Sequence, residues 1–72
     1  MISLKLIEQY GFEMLIDGEP VGNICPSGDN HEWATYELNA TGHPITPRLS
    51  TTDDILNAID DLERAHYNKK DN

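Results

Sequence analysis

Cys25, His31 and His43 are the side chains outside the C-terminal segment whose chemistry reaches beyond simple charge, and His66 adds a third imidazole within that segment. Zinc sites draw on short paired spacings such as C-x2-C or H-x3-H. Here five residues separate Cys25 from His31 and eleven separate His31 from His43, so no such pair forms. A thiol and an imidazole could also act as nucleophile and base, but that needs an orienting third group, an oxyanion site and a cleft. Pro26 and its loop neighbours do not fix such a geometry, and 72 residues leave little volume for a cleft once a core has formed. The sequence therefore predicts no catalytic residue, no metal centre and no cofactor. Two loop histidines and a half-buried cysteine stand in their place, and a small Cys/His metal-binding protein is kept as the most distant alternative.

The carboxylate pairs Asp53-Asp54 and Asp60-Asp61 invite comparison with calcium sites. Calcium takes six or more oxygens converging from a loop. Adjacent residues on a helix instead diverge by about 100°, so these pairs read as a solvated helix face. Asp29-Asn30 is too short a fragment to build a calcium loop. Phosphate binding is excluded as well, because Gly18, Gly22 and Gly28 form no glycine-rich loop with a following lysine.

Charge is the strongest compositional signal. Between Lys5 and Arg64 stand twelve acidic residues and a single basic one, Arg48, and the chain has a formal charge of -8. Such a field repels nucleic acid and anionic lipid and attracts basic protein surfaces. The sheet-forming segments offer Lys5 as their only base, far below what phosphate neutralisation requires. Neither direct nucleic-acid binding nor a membrane is expected, and there is no apolar run near 18 residues and no leader-like N-terminus. One cysteine allows no internal disulfide, which for so small a chain points to a reducing, cytoplasmic setting.

The elements that must position these residues follow from periodicity. Ile2, Leu4 and Leu6 alternate with Ser3, Lys5 and Ile7, and after a break at Tyr10-Gly11 Phe12, Met14 and Ile16 alternate with Glu13 and Leu15. Asp17-Gly18 is a hairpin signal because both residues tolerate positive φ, and Val21 to Ile24 returns as a short strand with Pro20 at its start. Cys25 to Asn30 reads as a loop and Glu32 to Leu38 as a further strand. Gly42, Pro44 and Pro47 exclude regular structure from most of Asn39 to Leu49. Thr51 and Asp54 have the spacing of a capping box. Ile55, Leu56, Ile59, Leu62 and His66 share one stripe of a helix expected from about Asp53 to Tyr67, with Lys69 and Lys70 near its negative end. The fold predicted is α+β: an antiparallel meander of three or four strands with one C-terminal helix across one face, in a single domain over residues 1–68 with a frayed tail at 69–72.

Trp33 stands out against this frame. If Ala34, Tyr36 and Leu38 face the helix, Trp33 lies on the opposite sheet face with Ile7 and Leu15, among the acids Glu13, Glu32 and Glu37. An aromatic anchor with an acidic rim suits a protein-binding patch, to which Asp60 and Asp61 on the helix would add steering charge. A bulge that reverses the parity, or the loop after Leu38 folding over Trp33, is the competing account.

Gly22-Asn23-Ile24, Trp33-Ala34-Thr35-Tyr36 and Thr52 to Ile59, in that order, resemble the small sheet-plus-helix modules of the arm-type and AP2-like families found on phage integrases. The DNA-binding members carry several Arg and Lys on their strands, where this chain has Glu13, Glu32 and Glu37. The resemblance thus implies a fold without implying DNA binding. In size and charge the chain is also similar to small inhibitor proteins of phages and mobile elements, some of which present carboxylates where a nuclease expects phosphates. The function expected from all of this is a non-enzymatic, acidic protein-binding module that occupies a basic, nucleic-acid-binding host protein. A homodimeric assembly protein is the first alternative.

Overall fold

Alternating Ile2, Leu4 and Leu6 form strand β1 (Ile2–Leu6), and Phe12, Met14 and Ile16 form β2 (Phe12–Ile16). In this computed structural model residues 1–7, 11–27 and 31–70 are described, with side chains as far as residue 68. Asp17 and Gly18 turn the chain into β3 (Glu19–Ser27) with φ of 52° and 84°. Both central residues in the left-handed region give the two-residue turn that matches strand twist, as the Asp-Gly pair predicts. β4 (Glu32–Glu37) and β5 (Ser50–Thr52) complete an antiparallel sheet in the order β1-β2-β3-β4-β5, and helix α1 (Ile55–Lys70) follows. The protein is an α+β fold with five strands, where the sequence predicts three or four. Tyr10, Gly28 to Asn30, the side chains of Lys69 and Lys70, and residues 71 and 72 lie outside what is described.

The additional strand is β5. Ser50, Thr51 and Thr52 pair with Thr35, Ala34 and Trp33, so Thr51 is held in a strand and cannot cap the helix. Asp54 does so instead: its Oδ1 accepts from the Leu56 N–H at 2.9 Å, and its carbonyl accepts the Ala58 N–H at 3.1 Å. The helix therefore starts two residues later than expected and continues past Tyr67. β3 is also longer than predicted. It runs through Cys25 and Pro26, and its pairing with β2 shifts between Met14 and Leu15, where Met14 faces Gly22 but Leu15 faces Pro20. That leaves Val21 as the extra residue of a bulge, packed against the core.

Residues directly opposite in a ladder point to the same sheet face, so the register assigns the faces. Met14, Ile16 and Ile24 lie under the helix with Ala58 and Leu62, and together these five form the core. Ile24 is paired with Thr35, and Pro26 with Trp33. Trp33, Thr35 and Glu37 consequently face the helix, while Ala34 and Tyr36 face the open side. The expected parity of β4 is reversed. Trp33 packs on the core cluster, with its ring 6.1 Å from that of Phe12 across β3.

The helix sits toward the β5 side of the sheet. Its contacts centre on β3, β4 and β5, and Ala58 and Leu62 also cover Met14 and Ile16 of β2. Gly22 marks its seat: a Cβ there would stand 2.6 Å from a Leu62 methyl and 2.8 Å from the Tyr36 carbonyl oxygen. Replacing Gly22 by Ala should push Leu62 and the helix outward and cost about 1–3 kcal/mol. A lowered urea midpoint with an unchanged denaturant slope is expected; an unchanged midpoint would show that the contact is loose.

Candidate partner-binding surface

The predicted binding residues fall on three surfaces. On the open sheet face, Leu15 is half-buried opposite Ser3 and Pro20, and Glu13 stands between Lys5 and Asn23 in the ladder. Glu32 is paired with Ser27 on that same face. Trp33 and Glu37 lie on the helix side instead. Ile7 sits just beyond β1, half-buried, its N–H donating to the Gly11 carbonyl at 2.8 Å. Trp33, Leu15 and Ile7 thus form no single patch, because Trp33 and Leu15 are separated by the thickness of the sheet. The proline-rich connection does not fold over Trp33 either. It runs beside β4, where the Ile45 and Leu49 N–H groups donate to the carbonyls of Glu37 and Thr35 at 2.7 Å each.

Asp60 and Asp61 are engaged within the molecule. Arg64 donates to Asp60 Oδ2 at 2.6 Å and to Asp61 Oδ1 at 3.2 Å. Asp61 also accepts from Ser50 Oγ at 2.8 Å, and Ser50 Oγ lies 2.7 Å from Thr35 Oγ1. Thr35 is the buried polar residue of the core at 0% exposure. Its hydroxyl is satisfied by this chain of contacts, which fastens the middle of α1 to the β5 side of the sheet. A half-buried polar network of this kind holds geometry because each member left alone would be costly.

Arg48 is the functional-looking residue that sequence reasoning passed over. Its Nη1 donates to Ser27 Oγ at 3.0 Å and to Thr51 Oγ1 at 3.4 Å. Ser27 and Thr51 lie on β3 and β5 and both face the open side, so the guanidinium crosses over β4 between them. Ala34, opposite Thr51 in the ladder, is 2% exposed on that face. The signal available was the isolation of one Arg in a long acidic stretch, but nothing in its spacing revealed hydroxyl partners 21 and 3 residues away.

Two further described cations are taken up internally, while Lys5 lies exposed opposite Glu13 in the β1–β2 ladder. Arg64 is bound to its two aspartates, and the N-terminal amine is bonded to Asp17. Among the described acids, Glu13, Glu19, Glu32, Asp53 and Glu63 form no salt bridge with a described residue. They are spread over both sheet faces and the helix.

Cys25 lies half-buried on the open face beside Ala34, and burial pushes its thiol above the ordinary value of 9.0. His31 is exposed in the turn before β4, with φ of 56°. His43 belongs to a loop closed by Asn39, whose Oδ1 accepts from the N–H groups of Thr41 and His43 at 3.0 Å each, while Thr41 Oγ1 lies 3.0 Å from His43 Nδ1. No group of three or more His, Cys, Asp or Glu among the described residues is placed to hold a metal ion. A cavity of about 370 Å³ opens at the far end of the helix, lined by Glu19, Val21, Glu37, Leu38, Leu62 and His66. The Nε2 of His66 is buried without a described hydrogen-bond partner.

The chain matches no protein-family model, no curated protein and no solved structure. The likeness to integrase-type modules therefore rests on the quoted sequence segments and transfers no residue role. What the fold and surface define is a class: a small α+β protein with an acidic exterior. No helix among the described residues is long and apolar enough to cross a membrane.

The raised Cys25 pKa keeps the thiol neutral. A group shifted in this direction contributes stability below its unfolded value, and that contribution is lost as pH rises through the folded value. At about pH 8 the folded protein should alkylate more slowly than the urea-unfolded chain, with its half-maximal rate displaced above pH 9.0. Equal rates in the two states would contradict this placement of Cys25.

Proposed function

We propose that this protein is a non-enzymatic binding module that occupies a basic surface on another protein. The observation that supports it is the fate of its cations. With Arg64 and the N-terminal amine paired to internal carboxylates, Lys5 and Arg48 are the described cations that remain against Glu13, Glu19, Glu32, Asp53 and Glu63. The exterior field is that of an acidic particle with a net charge of -8, which steers encounter with positive partners and suppresses contact with nucleic acid or anionic lipid. Proteins that bind nucleic acid display the complementary charge, so they are the target class, and occupying such a surface would compete with their natural ligand. Self-association is the second reading, favoured by the exposed Leu4 and Leu6 on the edge strand β1. Repulsion between two copies of charge -8 opposes it.

Capture from cell lysate on immobilised protein across a salt series tests the proposal. Basic proteins should be retained at low salt and released as ionic strength rises, because exposed charges are screened beyond about 10 Å at 0.1 M salt. Reversing charge at Glu13, Glu32 and Asp53 together should weaken retention. Retention that is flat with salt, or direct binding of duplex DNA, would overturn the reading.

A further inference from the structure

Because the contacts of α1 centre on β3 to β5, the helix-side face of the sheet extends beyond it at β1. Ile2, Leu4, Leu6, Phe12, Met14 and Ile16 all point to that face by register. Toward the helix the row is sealed, with Met14 at 0% and Ile16 at 5% exposure; away from it the cover runs out, with Leu4 at 36% and Leu6 at 65%. The helix supplies the other wall. Asp61 is bonded to Ser50 of β5, and Ile59 and Glu63, each two residues from it, lie about 200° around the axis, on the side toward β2. Leu56, Ile59 and Glu63 follow the spacing that stacks side chains in one row, and Leu56 is 69% exposed. The result is an apolar step: a floor of Leu4, Leu6 and Phe12, and a wall of Leu56 and Ile59.

Its charge selects an occupant. Because β2 is covered at Met14 and Ile16, the open floor is the Leu4 and Leu6 row of β1, with half-buried Phe12 beside it. The floor carries no charge. On the wall Glu63 is half-buried, without a salt bridge to any described residue, and Asp53 is exposed ahead of the helix. A second copy would bring a further charge of -8 to this edge, whereas a cationic helix would place its apolar stripe on the leucines and its basic flank against Glu63.

We infer that the strip beside α1 is a docking slot for one amphipathic basic helix of a partner protein. This rests on the proposed function and names the surface and the partner element that carry it. The slot works by laying apolar anchors at helical spacing into a groove, with charge setting orientation.

The test uses two synthetic peptides of the same Leu and Lys composition. In one the leucines fall on a single helical face; in the other their order is scrambled. Binding to the full chain is read by fluorescence anisotropy and by amide chemical-shift mapping. The amphipathic peptide should bind more tightly and shift Leu4, Leu6, Phe12, Leu56 and Ile59. Leu4→Ser with Leu6→Ser should weaken it about tenfold, and Leu56→Ser alone should weaken it too, with melting temperature unchanged. If the double variant fails to fold, the shift map of the parent chain and the Leu56→Ser variant decide. Equal binding of both peptides, with shifts on the open sheet face, would overturn the slot and leave the basic-partner reading standing. Binding of neither peptide at low salt would overturn both. A dimer in sedimentation that the double variant dissolves would assign the slot to a second copy and overturn the inference.

Discussion

The position of one helix governs this structure. Leu62 rests where Gly22 has no side chain, and Asp61 is tied through Ser50 to the buried hydroxyl of Thr35. One contact sets the distance of the helix from the sheet; the other sets which strands it covers. Without Gly22 the helix would have to stand off, and the tether fastens it toward β5. Both interactions come from small or polar residues, although the stabilisation itself comes from the apolar core they align.

Two surface properties follow from that seat. β1 extends past the helix and leaves Leu4 and Leu6 exposed on an edge strand, a feature natural sheets usually cover or blunt with charge. The acids are divided as well. Asp54 caps the helix and Asp60 and Asp61 hold Arg64, so these have structural duties. Others, including Glu13, Glu32, Asp53 and Glu63, give the exterior its field. The bulk charge of the chain thus resolves into acids that build the fold and acids that face outward.

Much of the architecture was legible in the sequence, and the reasons are local. Asp17-Gly18 can adopt two consecutive positive φ values at low cost, and the turn is where it should be. The stripe Ile55, Ile59 and Leu62 identified the helix and its buried face. The parity of β4 runs against its apolar pattern, since Ala34, Tyr36 and Leu38 look more apolar than Trp33, Thr35 and Glu37. Thr35 belongs in the core only because Ser50 satisfies its hydroxyl, a partner fifteen residues away that no periodicity reveals. β5 escaped notice for a related reason: Ser50-Thr51-Thr52 has no apolar alternation, and its pairing with β4 is a tertiary event. The binding patch read around Trp33 dissolved with the parity, and the exposed leucines of β1 took its place as the surface without cover.

The off-centre seat of α1 is tested most directly by proton nuclear Overhauser contacts from the methyl groups of the helix. Contacts from Leu62 to the Gly22 α-protons, and from Trp33 to Phe12, with none between the helix methyls and Leu6, are the expected pattern. Strong contacts from Ile59 or Leu62 to Leu4 and Leu6, with Trp33 in contact with Leu15, would place the helix over β1 and β2 and contradict it.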